Sequence, residues 1–209
     1  MSIPSPKILT LGLTDYSTIW AQMKQFTHQR TAQTPDQFWC LEHQPVFTQG
    51  LAGESKHYLK STHIPLIQTD RGGQITYHGP GQCIIYPLID LRRQAYGVNA
   101  LVSRIEKALI LTLQHFSIEA HTDACSRGVY VQGDKIASIG LRVSKGCSFH
   151  GLALNIKMDL APFKHINPCG LPHIKVTHMY AHNSNIEIIE VKRYLLVQLL
   201  SELEYDSIT

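Results

Sequence analysis

The stretch from 98 to 116 constrains the fold most. Val98, Leu101, Val102, Ile105, Leu109, Leu113 and Phe116 recur at three- and four-residue spacing, which places them on one face of a long amphipathic helix that has to cover an apolar surface. Asn99 is its predicted cap. The surface it needs is a sheet, because short runs rich in β-branched and aromatic residues lie on either side. They fall at 38–41, 46–48, 64–68 and 83–89, then in a hairpin over 128–143 that turns at Gly133 and Asp134, then at 148–156. A first helix is predicted over 14–32, where Ile19, Trp20, Met23 and Phe26 keep helical spacing and Thr14 or Asp15 can cap. A last one opens at Ser184 or Asn185 and runs to 203, with Ser184 and Glu187 at capping-box spacing. Strands and helices mix without a regular β-α-β alternation. The predicted class is therefore α/β of the α+β type, a mixed sheet packed with helices, in one domain over 1–209.

Composition narrows the functional classes. A hydrophobic fraction of 44% against 17% charged residues excludes disorder. A net charge of +3 without a basic arm is too weak a field for nucleic acid. The longest apolar runs, such as 108–111, fall far short of the ~20 residues of a membrane helix. The opening MSIPSPKILTLGLTDYS lacks the pattern of a secretory leader, so the expectation is a cytoplasmic protein. Five cysteines, odd in number, far apart and without C-x-x-C, read as reduced thiols. His165 and His173 flank Cys169 at four-residue spacing, but Pro168, Gly170 and Pro172 deny that stretch a helix, and no metal site is expected.

Three places carry candidate chemistry. Lys135 heads a strand face otherwise made of Ala137, Ile139, Leu141 and Val143. Either its ammonium is buried, which lowers its pKa and makes it a base near neutral pH, or it reaches water past the adjacent turn. Cys169 sits in a Pro-Cys-Gly loop, a rigid setting that suits a nucleophile provided a base or cation is near; Lys135 could serve. Cys40, Cys83 and Cys147 lie in strand-like surroundings and read as small core residues. The segment 71–82, RGGQITYHGPGQ, brackets a short strand over 74–78 with glycines at both ends, so backbone can approach a ligand there. Gln74, Thr76 and His78 share one face, Ile75 and Tyr77 the other. The spacing is neither a dinucleotide fingerprint nor a Walker A loop, and an ordinary glycine-rich hairpin explains it equally well.

Taken in order, RGGQITYHGPGQ at 71–82, GDKIASIG at 133–140, FHGLALNI at 149–156 and NPCGL at 167–171 resemble the octanoyltransferases of lipoate biosynthesis, over about 37–180. Lipoate and biotin protein ligases are weaker relatives. The resemblance implies a catalytic domain of the biotin/lipoate protein ligase type that uses no cofactor. It implies transfer of an octanoyl group from the phosphopantetheine thiol of acyl carrier protein to a lysine of lipoyl domains, those of 2-oxoacid dehydrogenases and the glycine cleavage H protein. Cys169 would carry the octanoyl group as a thioester and Lys135 would deprotonate that thiol. Arg71, Gly72, Gly73, Gln74, Ile75, Thr76, Tyr77, His78, Ser138, Ile139, Gly140, Gly151, Leu152 and Ala153 would form the substrate pocket. An apolar slot lined by Ile139 and Leu152 would select the chain at ~0.8 kcal/mol per buried methylene. His78 is expected to orient Lys135 or the thioester. Backbone N–H groups near Cys169 or at Gly140 are candidates for the oxyanion. Lys56, Lys60, Arg92, Arg93, Arg142 and Lys145 are candidates for a rim facing an acidic carrier protein. Two alternatives compete: an ATP-dependent lipoate or biotin ligase, which needs no cysteine nucleophile, and a non-catalytic module that binds acyl chains or lipoyl domains.

Overall fold

The structure is a computed structural model that describes residues 5–123, 126–172 and 174–205. Its main sheet has seven strands in the order β1 (Lys7–Thr14), β2 (Gln37–His43), β6 (Gln82–Leu88), β10 (Cys147–Asn155), β9 (Asp134–Ser144), β8 (Val129–Val131) and β7 (His121–Thr122). Only β1 and β2 pair in parallel; every other neighbour in this sheet is antiparallel. A second, three-stranded sheet runs β4 (Leu66–Gln68), β3 (Val46–Gln49), β5 (Ile75–His78).

Helices cover both faces of the large sheet, which explains why the run over 83–89 is apolar without alternation. Successive residues of β6 feed different cores: Cys83 and Ile85 go to one side, Ile84, Tyr86 and Leu88 to the other. On the first side lie α3 (Val98–His115) and α4 (Ile188–Glu202), with Leu101, Ile105 and Leu109 of α3 packed beside Leu195 and Leu199 of α4. On the second side α1 (Tyr16–Gln29) lays Ile19 and Met23 against Trp39, Leu41 and Ala153. A short α2 (Leu91–Gln94) follows β6.

Helix existence follows the apolar spacing; helix ends do not. Asp15 caps α1 through the Thr18 amide, as one of the two expected caps. The helix stops at Gln29 rather than 32, with Arg30 extended and its guanidinium turned to buried Asp36. Helix α3 begins after Gly97, without a side-chain cap, so Asn99 lies inside the first turn. Helix α4 starts at Ile188 with Glu187 in the cap position and no capping bond, and Ser184 lies outside it. The hairpin is as expected, VYV and DKIASIGLRVS about a turn in which Gln132 and Gly133 take positive φ of 51° and 87°. Edge strand β1 has no counterpart in the sequence reading, because its half-exposed residues lack clean alternation and a bulge at Gly12 shifts its register.

Asp36 sits at the centre of a buried node. Its carboxylate accepts hydrogen bonds from Arg30, from Arg93 at 2.6 Å, from the Asp90 amide at 2.8 Å and from the Tyr205 hydroxyl at 2.7 Å. The node ties the start of β2, the end of β6 and the C-terminal segment together.

Candidate active site

Lys135 begins β9 and is 2% exposed, so its ammonium does not reach water past the turn. Nζ lies 2.9 Å from Cys169 Sγ, 2.7 Å from the Arg127 carbonyl oxygen, 3.1 Å from the Tyr130 hydroxyl and 3.4 Å from Ser126 Oγ. The Tyr130 hydroxyl in turn donates to the Ser126 carbonyl at 3.1 Å, leaving its lone pairs to receive the lysine. The two reacting residues are 34 positions apart and are joined by a short parallel ladder. The Lys135 amide donates to the Lys175 carbonyl at 2.8 Å and the Thr177 amide donates to the Lys135 carbonyl at 2.9 Å. The strand carrying the lysine thus holds the end of the cysteine loop by its own backbone.

Cys169 occupies a one-turn 3-10 segment, Pro168–Gly170, with φ of 57°, a left-handed conformation that a β-carbon disfavours. The following Gly170 is also left-handed, and its N–H donates to the Asn167 carbonyl at 2.9 Å, so that amide is already engaged rather than free for an oxyanion. The thiol is partly exposed, whereas Cys83 and Cys147 are buried. Burial pushes the Lys135 pKa down, but the charge of Cys169, the hydrogen bond to it and the Tyr130 hydroxyl outweigh burial, and the net pKa lies above the ordinary 10.5. This reverses the expected direction: the desolvated lysine is held as an ammonium by its neighbours.

The segments expected to form a pocket converge on this pair. In the β9–β10 ladder Ser138 faces Ala153, Ile139 faces Leu152 and Gly140 faces Gly151, so the two strand segments are direct cross-strand neighbours. A cavity enclosing about 520 Å³, including its open mouth, is lined by all six together with Arg71, Gly73, Gln74, Ile75, Thr76, His78, Lys135 and Cys169. Gly140 permits close approach: a β-carbon there would sit 3.1 Å from the Gly72 carbonyl and 3.3 Å from the Arg71 side chain, so these neighbours would have to give way slightly. Gly72 itself is outside the lining; its amide donates to the Leu141 carbonyl at 2.9 Å and pins the loop to β9. Tyr77 is also outside and packs with Phe47 and Phe163, although Ile75, on the same face of β5, reaches the lining. Gly79 and Gly81 carry the chain from the small sheet into β6 and take no part in the cavity.

Arg71 is buried, and its guanidinium is satisfied by oxygen atoms of neutral groups: Thr48 O at 2.6 Å, Thr48 Oγ1 at 2.9 Å, Gln74 O at 2.8 Å and Gly72 O at 2.9 Å. A buried cation without a carboxylate partner leaves positive potential in the cavity, although burial lowers its pKa from the usual arginine value. His78 does not touch Lys135; it bonds Gln82 Oε1 at 2.8 Å and Thr48 Oγ1 at 3.3 Å. Burial, then the His43 ring, lowers its pKa to about 3, so it is neutral at physiological pH.

Sequence reasoning missed Tyr16, Tyr86 and His150, which complete the cavity wall. Tyr16 stacks on His78 and His150, and the Tyr86 hydroxyl meets His43 Nε2 at 2.7 Å. His150 Nε2 lies 2.9 Å from Asp70, which also accepts from Trp20 at 2.7 Å. His43 is likewise held neutral, its pKa lowered by burial to about 4. Of these, His150 was legible as part of FHGLALNI. Tyr16 arrives from the first turn of a different helix, which no local pattern announces.

The catalytic domain model of lipoyl protein ligases A and B matches residues 15–200. The chain belongs to that family. An octanoyltransferase of Cellvibrio japonicus is 49% identical over 208 residues, covering 99% of this chain and 97% of the relative. A lipoate-protein ligase A bound with ATP superposes with a TM-score of 0.78 at 15% identity, covering 98% of this chain and 90% of that one. A biotin protein ligase of Aquifex aeolicus reaches 0.56 at 11% identity, covering 95% and 69%. The fold is thus of the biotin/lipoate protein ligase type, as the motifs implied. Among the described residues no helix is long and apolar enough to cross a membrane, and no cluster of His, Cys, Asp and Glu has metal-site geometry.

Proposed function

We propose that this chain is an acyltransferase of protein lipoylation, one catalytic domain that takes an octanoyl group from acyl carrier protein and delivers it to the lysine amine of lipoyl domains. The near-full-length match to an octanoyltransferase at 49% identity supports the activity. The observation that carries the mechanism is the 2.9 Å separation of Lys135 Nζ and Cys169 Sγ at the mouth of a mostly apolar cavity.

Lys135 Nζ, 2.9 Å away, holds the proton of the Cys169 thiol as the sulfur reacts. The sulfur attacks the thioester carbonyl carbon, and collapse of the tetrahedral adduct expels the carrier thiol, which takes the proton from Lys135. Acylation removes the negative charge that held the Lys135 pKa up. Burial, the largest influence, then pushes it down against the Tyr130 hydroxyl alone, and the lysine serves as the base. It collects the proton that the acceptor amine loses on attacking the acyl-enzyme, and Cys169 departs as a thiolate beside a restored ammonium. The kinetics are ping-pong. The eight-carbon tail lies along Ile139, Leu152 and Ala153, and Arg71 sets a positive potential near the developing oxyanion. Acceptors of this chemistry are lipoyl domains of 2-oxoacid dehydrogenases and the glycine cleavage H protein, and the setting is the cytoplasm, where thiols stay reduced.

Intact-protein mass spectrometry after brief exposure to octanoyl-acyl carrier protein without ATP tests this reading. The expected outcome is a hydroxylamine-labile gain of one octanoyl group on the wild type and none on Cys169→Ser. A gain that requires ATP, or none on either protein, overturns it.

A further inference from the structure

A thioester at Cys169 has two substituents that diverge from one carbonyl carbon, the acyl tail and the thiol-bearing arm, so it needs two channels. The interior cavity accounts for the tail. A second concavity is lined by Asn167 and Pro168, immediately before Cys169, and by apolar walls that include Leu59, Leu160, Ile166 and Ile174. Leu59 is 55% exposed at this groove. Lys164 and Lys175 stand at this groove, both exposed, against the single acid Asp134. Among the described residues neither lysine forms an ion pair. Lys60 adjoins them, its amide and that of Leu59 both donating to the His165 carbonyl at 3.4 and 2.9 Å.

The rim expected from the sequence meets this groove only at Lys60, and three of its six cations are paired with acids. Lys56 pairs with Glu54, Arg92 with Asp90 and Arg93 with Asp36, while Lys145 Nζ meets a His28 nitrogen at 2.9 Å. A further concavity reaching the cysteine loop, lined by Asp123, Ser126, Tyr130 and Leu171, has a carboxylate and no lysine or arginine.

We infer that the groove lined by Leu59, Ile166, Pro168 and Ile174 holds the phosphopantetheine arm of the acyl donor, with its phosphodiester between Lys164 and Lys175. This rests on the acyl-transfer reading above and adds the donor's path to it. The thin amide-bearing arm lies against the apolar walls, its thioester end reaches Cys169 past Pro168, and the phosphate meets two otherwise uncommitted cations at the outer end. Recognition is then electrostatic at one end and steric at the other.

The test compares two donors, octanoyl-phosphopantetheine and octanoyl-pantetheine, which differ only in the phosphate. In Lys164→Glu/Lys175→Glu, KM for the phosphorylated donor is expected to rise about tenfold at low salt, less as ionic strength increases. The neutral pair Lys164→Gln/Lys175→Gln is expected to fall between the two. KM for octanoyl-pantetheine should stay within about twofold. Equal changes for both donors, no change for either, or a rise confined to KM for the lipoyl-domain acceptor overturns the assignment, the last giving the groove to the acceptor. Failure of the wild type to turn over either donor would instead strike the acyl-transfer reading itself.

Discussion

Replacing Tyr130 with phenylalanine isolates what holds Lys135 as an ammonium. The ring, 3% exposed, keeps its place, and the lysine nitrogen keeps its position 5.1 Å from the ring centroid. What is lost is the hydroxyl 3.1 Å from Nζ. A hydrogen bond to a charged group contributes about 1.5–3 kcal/mol, and Ser126 Oγ at 3.4 Å recovers only part of it. At about 1.4 kcal/mol per decade, the acylation half-reaction should slow ~10–100-fold. The sign of the pH effect follows from the cause. Tyr130 is among the groups that raise the Lys135 pKa, so removing it lowers that pKa and moves the alkaline limb of the acylation rate to lower pH. Rapid-quench mass spectrometry across the pH range reads both quantities, with urea unfolding as the control. An acylation rate within twofold of wild type with an unmoved alkaline limb would refute the argument, as would a loss of stability that accounts for the whole effect.

The Asp36 node has no part in the chemistry and should act on stability alone: Asp36→Asn leaves the Arg30 and Arg93 guanidinium groups buried without their counter-charge, and an urea midpoint corresponding to a loss of about 3–5 kcal/mol is expected. Stability should also fall in acid before the carboxylates titrate. Folded His43 and His78 have pKa values of about 4 and about 3, below the ordinary ~6.5 of an unfolded histidine. The unfolded chain therefore binds more protons, and stability is full above about pH 6.5 and lost progressively toward pH 4. A denaturation midpoint that is flat from pH 7 to pH 4.5 would show that these rings are not buried neutral.

How much of this was legible depended on whether information was local. The apolar face of α3 and the hairpin about Gly133 follow from spacing and turn chemistry, and both are present. The alternation in 74–78 placed Tyr77 away from Thr76 and His78, as the structure has it, whereas the family motif groups all three with the pocket. Lys135 shows where local reading stops. Its apolar strand face spoke for burial, yet the direction of its pKa depends on Tyr130 across the hairpin and on Cys169, which only the tertiary fold brings to it. The same holds for Tyr16 and for Arg93, whose partner Asp36 lies 57 positions off in the chain.

The ladder between Lys135 and residues 175–177 has a temporal consequence. During synthesis the strand bearing the lysine emerges well before the loop bearing the thiol, and nothing in residues 1–170 supplies the two backbone bonds, Lys135 N–H to Lys175 O and Thr177 N–H to Lys135 O, that set one against the other. Catalytic competence therefore waits until residues 175–177 dock along the edge of β9 at Lys135. Until then the chain has strands of the sheet and residues of the cavity but no paired nucleophile.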